Sequence, residues 1–173
     1  MQHNLEQPLS TGTQLEFLPY SSDLAGHFKT INEQWISAMF AIEPADLASL
    51  DHPQELIIDR GGQIYFVKTE QLGVIGCCAL LPKENGVFEL TKMGVLDSAR
   101  GLKAGEALLQ YVLQQAKNLP IKRLFLLTNK KCEAAVHLYE KNGFVHDKQV
   151  MDQYGSSYQR CNVAMKYPPI WQD

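Results

Sequence analysis

The 173 residues suffice for one domain with its own core, and 45% hydrophobic against 20% charged residues is the balance of a soluble globular protein. No apolar run approaches the roughly 20 residues that span a bilayer, and a formal net charge of -3 offers little to a nucleic-acid backbone, so neither membrane nor nucleic acid is expected as a partner. The first residues lack a basic-then-apolar stretch, which points to a cytoplasmic protein.

Residues 1–13 are polar and unpatterned and read as a flexible tail before a single domain over 14–173. Gln14 to Tyr20 has the look of a first strand. Leu24, Phe28, Ile31, Trp35, Ile36 and Met39 then recur at helical spacing over Asp23 to Phe40, with Ser22 as candidate cap. A short helix over Pro44 to Leu50 is broken at His52-Pro53, and Leu56 to Asp59 reads as extended. Ile64 to Thr69 and Gly73 to Leu81 form a hairpin, and the Asn85-Gly86 turn leads into Val87 to Leu96. Three antiparallel strands therefore come in succession.

Leu108, Leu109, Val112, Leu113 and Ala116 mark one face of a helix from Gly105 to Asn118, ended by Pro120. The apolar run Leu124 to Thr128 is a buried strand between two helices, the second from Glu133 to Lys141 with Asn142-Gly143 as its stop. Strands over Phe144 to Met151 and Tyr158 to Met165 close the chain, and Pro168-Pro169 marks the end. Cys77, Cys78, Cys132 and Cys161 contain no CxxC pair and no zinc-like spacing with histidine. They read as reduced thiols, three of them in core strands, and no metal is expected.

Between the Val87 strand and the following helix lies Arg100-Gly101-Leu102-Lys103-Ala104-Gly105. Small residues at 101, 104 and 105 permit close approach of a ligand, and a helix N-terminus adds partial positive charge, so the loop is either a phosphate cradle or a plain strand-to-helix turn. GxxxxGK[ST] and GxGxxG are both absent.

The loop, following Val95, resembles the Arg/Gln-x-x-Gly-x-Gly/Ala signature of the GNAT acetyltransferase superfamily, with Lys103 where that family usually has glycine. Ala135-Val136-His137-Leu138-Tyr139-Glu140-Lys141-Asn142-Gly143-Phe144 is similar to the family's Ala-x-x-Leu-Tyr-Glu-Lys-x-Gly-Phe segment, with Cys132 in place of the usual asparagine and Asn129 just upstream. Phe88 to Val95 resembles the family's fourth strand. The resemblance covers about residues 87 to 145. It implies an α/β (α+β) fold, a mixed and mostly antiparallel sheet of six to seven strands flanked by about four helices and splayed between strands 4 and 5.

The same resemblance implies an N-acetyltransferase that moves the acetyl group of acetyl-CoA to a primary amine by direct attack in a ternary complex. The acceptor would be a small molecule or a protein, and a homodimer through the late strands is possible. The backbone of Met93, Gly94 and Val95 would pair with pantetheine like an added strand. Arg100, Gly101, Leu102, Lys103, Ala104 and Gly105 would hold the pyrophosphate, with Asn129 and Cys132 as further cofactor contacts. Tyr139 would be the proton donor or hydrogen-bond partner of the leaving sulfur, and Glu89 a general base whose carboxyl must be raised by burial. Their alternatives are a packed tyrosine and a salt-bridged glutamate. His137 and His146 are weaker candidates. Trp35 and Phe40 would wall the acceptor site or belong to the helix core, Glu43 would bind the amine, and Tyr154 and Tyr158 would border the same site. A non-catalytic acyl-CoA sensor or interaction module on the same fold is the alternative function.

Overall fold

The computed structural model describes residues 14–173, so the tail expected over 1–13 lies outside the described residues. Strands β1 (Glu16–Pro19), β2 (Gln63–Thr69), β3 (Gly73–Glu84), β4 (Val87–Val95), β5 (Arg123–Thr128), β6 (Val145–His146) and β7 (Val163–Trp171) make one sheet in the order β1-β2-β3-β4-β5-β7-β6. All neighbours are antiparallel except β4 and β5, which run parallel. The β3–β4 turn is tight because Gly86 takes a left-handed φ of 76°, free of Cβ strain.

Strand alternation sends successive side chains to opposite faces. Ile64 and Phe66 face one side with Cys77 and Ala79, where helix α1 (Ala25–Met39) lays Phe28 and Ile31 and helix α2 (Pro44–Asp51) adds Leu50. Tyr65 and Val67 face the other with Ile75, Cys78 and Leu80, covered by α3 (Ala104–Ala116) through Leu108, Leu109 and Val112. Helix α4 (Glu133–Lys141) leaves β5 and buries Tyr139, and α5 (Lys148–Tyr154) packs Val150 on Phe125 and Ala164.

Four local expectations are corrected. Ser22 is no side-chain cap: the chain winds a turn earlier, Leu24 N–H donating to Ser21 O at 3.0 Å, and Ser22–Leu24 forms a 3₁₀ turn that runs into α1. Residues Gln54–Ile58 form a π-helical turn rather than an extended segment, closed by Asp59 N–H to Gln54 O at 2.8 Å. The strand after Phe144 stops at His146, because the Asp147 carboxylate accepts from Val150 N–H at 3.0 Å and starts α5. The last strand begins at Val163, leaving Cys161 just outside it, and it continues through Pro168-Pro169 to Trp171. The prolines are tolerated because β7 bulges there: Lys166 pairs with Phe125 and Trp171 with Arg123, so the residues between need no ladder N–H.

The β4–β5 pairing holds over Val87↔Arg123, Phe88↔Leu124 and Glu89↔Phe125 and stops there. Beyond it β4 carries an extra residue: Ala79 faces Thr91 and Cys77 faces Gly94, so Cys78 spans Lys92 and Met93. Lys92 takes the left-handed conformation, φ 55°. The bulge turns β4 away from β5 and opens a gap in the sheet.

Phe66 is fully buried between β2 and the α1–α2 layer. Phe66→Ala is expected to cost about 3–5 kcal/mol in urea unfolding without changing the fold by circular dichroism.

Candidate active site

The gap between β4 and β5 is a cavity of about 540 Å³. Met93, Gly94 and Val95 form one wall; Asn129, Cys132, Leu138 and Tyr139 form the other; Trp35 and Phe40, from the end of α1, close one side. Gly94 belongs there for a steric reason. A Cβ at this position would overlap the Trp35 indole. Trp35 is itself anchored, its Nε1 donating to Asn32 Oδ1 at 2.9 Å, while Asn32 Nδ2 donates to Phe28 O at 2.8 Å and to Cys77 Sγ at 3.3 Å.

Tyr139 is almost fully buried, lies edge-on to Phe144, and its hydroxyl finds the thioether of Met93 at 4.0 Å as its partner. Burial pushes the phenol well above its ordinary value, with smaller contributions from Cys78 and Cys132. The hydroxyl therefore stays protonated, a donor aimed into the cleft without an oxygen acceptor.

Arg100, Gly101, Leu102, Lys103, Ala104 and Gly105 do not line the cavity itself. They stand at its end, where a Cβ placed on Gly105 would lie 3.8–4.0 Å from Val95, Leu138 and Met93. Gly101 (φ 91°) and Lys103 (φ 57°) are left-handed, and no side chain caps α3, so the amides of its first turn are free. Arg100 is exposed and pairs with Asp97 at 3.1 Å. Asn129 braces the β5–α4 loop, its Nδ2 donating to Arg160 O at 2.6 Å and its Oδ1 accepting from Lys131 N at 2.8 Å.

Glu89 and Glu43 are not brought to the cavity wall. Glu89 sits on the last β4–β5 rung, 1% exposed, with Lys83 Nζ 3.7 Å from Oε1 and no hydrogen bond to that oxygen. Burial raises its carboxyl above the ordinary range, against the opposing charges of Lys83 and Lys92. Glu43 is consumed by the segment before β7: it accepts from Gln159 N at 2.9 Å, Arg160 N at 3.3 Å and Arg160 Nη1 at 3.4 Å. Tyr158 lines the cavity, whereas Tyr154 stacks on Phe125 at 4.3 Å and hydrogen-bonds Glu84. His146 pairs with Glu140 on the surface.

Sequence reasoning missed the charged cluster beside the cleft. Asp46, fully buried, accepts from Lys92 Nζ at 2.8 Å and, in bidentate fashion, from Arg160 Nη1 and Nη2 at 2.7 Å each. Tyr158 stacks between the two cations, 4.7 Å from Lys92 and 4.9 Å from Arg160. Burial alone would raise the Asp46 carboxyl, but hydrogen bonds from Arg160 and the charge of Lys92 outweigh it and hold it well below the usual carboxylate range. One signal was available: a lysine in the middle of a largely buried strand.

Against this geometry, the acetyltransferase (GNAT) family matches residues 28–144. The chain belongs to that family. An amino-acid acetyltransferase of Ralstonia nicotianae is 35% identical over 107 residues, 61% of this chain and 23% of the relative, so the chain spans about a quarter of that relative's length. A GNAT-family acetyltransferase from Staphylococcus aureus superposes with a TM-score of 0.78 at 22% identity, over 89% of this chain and 98% of its own. A GNAT-family acetyltransferase from Elizabethkingia anophelis, crystallised with acetyl-CoA bound, superposes with a TM-score of 0.56 at 21% identity, over 88% of this chain and 97% of its own. The mixed sheet with its parallel, splayed β4–β5 pair is the fold these family structures share. No helix among the described residues is long and apolar enough to cross a membrane, and no cluster among them could hold a metal.

Asp46→Asn leaves Lys92 buried opposite a neutral group and is expected to destabilise the protein by about 3–5 kcal/mol in urea. The folded carboxyl titrates below the unfolded value of about 3.9, so this stabilisation is complete above that value and is lost as pH falls through the folded pKa. The gap between wild type and Asp46→Asn should therefore narrow on acidification below about pH 4; a gap that widens would contradict the assignment.

Proposed function

We propose that the protein is an N-acetyltransferase that moves the acetyl group of acetyl-CoA to a primary amine by direct attack, with donor and acceptor bound together in the β4–β5 cleft. The observation that carries this reading is the splayed cleft, with a buried, protonated and under-partnered phenol on one wall and the edge of β4 on the other. The residues present suit the donor. The strand edge from Met93 to Val95 has lost its β5 partner and offers backbone groups to an extended amide chain, as in strand addition. The uncapped amides at the start of α3, beside Gly101 and Gly105, suit a pyrophosphate. Acetyl-CoA would supply an activated acetyl group there.

The reaction requires the amine nitrogen to bond to the carbonyl carbon, the C–S bond to break, the thiolate to gain a proton and the nitrogen to lose one. Tyr139 meets the sulfur. A thiol titrates near 8.5 and a phenol near 10, and burial lifts this phenol further, so outright proton transfer to the thiolate is uphill by about 2 kcal/mol or more. Tyr139 therefore acts as a hydrogen-bond donor that steadies charge developing on sulfur. Glu89, raised by burial and carrying an unpartnered oxygen at the closed end of the splay, takes the nitrogen's proton through water.

Variants, pH profiles and an amine panel test this. Tyr139→Phe should lower kcat by about 100-fold while the Kd for acetyl-CoA stays within a few-fold, and an unchanged kcat would remove Tyr139 from the chemistry. Gly105→Glu places a carboxylate at the pyrophosphate site and should weaken acetyl-CoA binding by about tenfold or more. For Glu89 the sign is fixed by its raised carboxyl. The acid limb of kcat/KM should fall at a pH above the ordinary glutamate value of about 4.3, and Glu89→Gln should abolish it. Binding of acetyl-CoA without thiol release across an amine panel would replace the enzyme by a non-catalytic sensor.

A further inference from the structure

The acceptor end of the cleft is built from cations. Lys92, Lys131 and Arg160 all line the cavity, and Glu133 is the one acid that does so among the described residues. Glu43 and Asp46 are close by, but they stand behind Arg160, off the wall and already saturated by hydrogen bonds. A site made for an amine alone would put carboxylates on its wall; this one has turned them away.

Two of the three cations retain capacity. Lys92 is spent on Asp46 and the Tyr158 hydroxyl. Arg160 uses only its terminal edge, Nη1 and Nη2 to Asp46 with a longer contact from Nη1 to Glu43. Its lateral edge, Nε–H with the second Nη2–H, has no acceptor among the described residues. Nε is not sealed in the core either, since Glu89 Oε1 is the one buried side-chain atom found without a partner among them. Arg160 itself lines the cavity. Lys131 Nζ donates to Met39 O at 3.3 Å and forms no ion pair among the described residues. Both cations stand over the same Phe40 ring, Lys131 at 5.0 Å and Arg160 at 5.9 Å.

We infer that Arg160 and Lys131 form an anion subsite above Phe40, and that the acceptor is an amine carrying a carboxylate, such as a free α-amino acid. The inference rests on the acetyltransfer reading above. A carboxylate is planar and matches the lateral guanidinium edge with two parallel hydrogen bonds, while Lys131 adds a point charge. Phosphates of the donor lie elsewhere under that reading: Gly105 abuts Val95 and Met93, whereas Arg160 reaches β4 through Asp46 at Lys92. Lys92 and Val95 are about 10 Å apart along the strand. The same cations disfavour an acceptor's ammonium form and so help present the neutral nitrogen that attack requires. They disfavour a polyamine, whose cations meet three cations and a single carboxylate, Glu133, on the wall.

The test uses the full chain with acetyl-CoA, a panel of α-amino acids, the matching carboxamides and spermidine, with thiol release as the readout. At least one amino acid should exceed its carboxamide by tenfold or more in kcat/KM, with spermidine poorer than either. Arg160→Lys keeps a cation beside Asp46 and removes the lateral edge; Lys131→Met removes the point charge at an exposed position. Each should collapse the acid-over-amide ratio towards one through KM, with the thermal midpoint retained and the calorimetric Kd for acetyl-CoA unchanged. Carboxamides or spermidine turned over as well as the acids would overturn the anion subsite and leave the acetyltransferase intact. A loss of acetyl-CoA affinity in both variants would hand the two cations to the donor's phosphates and overturn it equally. Failure to bind acetyl-CoA or release thiol with any amine would instead sink the underlying reading.

Discussion

The cleft depends on one residue in an unfavourable conformation. Lys92 is a non-glycine in the left-handed region inside a strand, which costs roughly 1–2 kcal/mol, and its charged end is buried. Asp46 is what makes the arrangement tolerable, since the Lys92 ammonium lies 2.8 Å from its carboxylate. The backbone of the bulge is held from below as well, with the Cys77 thiol, itself pushed up to about 12 by burial, donating to Lys92 O at 3.7 Å. With the bulge fixed, β4 cannot continue its pairing with β5 past Glu89. The hole in the sheet is therefore an outcome of local backbone geometry stabilised by a buried ion pair.

The same carboxylate ties β4 to the segment before β7. Asp46 sits at the third position of α2 in a reciprocal capping arrangement with Glu43, so its place is set by the helix start. From there it takes Lys92 on one side and Arg160 on the other, linking α2, β4 and the segment before β7. Buried ion pairs are poor sources of net stability, because desolvation offsets most of the attraction. Their contribution here is to position. One carboxylate shared by two cations fixes both, and Glu43 takes a second hold on Arg160. Lys131, beside Arg160 over Phe40, lines the cavity with no ion pair among the described residues.

What the sequence revealed and what it concealed divide by range. Periodicity located α1, α3 and α4, and Asn85-Gly86 located the β3–β4 turn, because each depends on residues within a few positions of one another. The two family-like stretches were legible for the same reason: Arg100 to Gly105 and the segment ending at Phe144 are contiguous patterns. The last third of the chain misled because Val145 and His146 do form a strand, and only the Asp147 cap cuts it short. The Pro168-Pro169 pair looked like an end because nothing local announces the β7 bulge that accommodates it. The charged cluster left only one trace, the lysine within β4. Asp46 and Arg160 are separated by 114 positions, and neither stands in a pattern that requires the other. The partners of Glu43, Gln159 and Arg160, belong to that same distant segment and were equally out of reach of local patterns.

The proton inventory explains why the two titratable groups singled out from sequence end up in such different settings. Under the proposed reaction the sulfur needs a donor at the moment the C–S bond weakens, and a donor serves best when it is rigid, protonated and free of competing acceptors. Tyr139 fulfils this through burial and through a partner, the Met93 thioether, that is a weak acceptor easily displaced. The amine needs a base that is ionised at working pH yet stronger than a solvated carboxylate. Burial raises the Glu89 carboxyl while Lys83 and Lys92 pull it back. Both lysines are held off at a distance or committed elsewhere, Lys83 at 3.7 Å and Lys92 on Asp46, so neither neutralises it. Asp46 thus bears on both groups: it holds the Lys92 ammonium at 2.8 Å, and one oxygen of the nearby Glu89 carboxylate has no hydrogen-bond partner among the described residues where the two strands part.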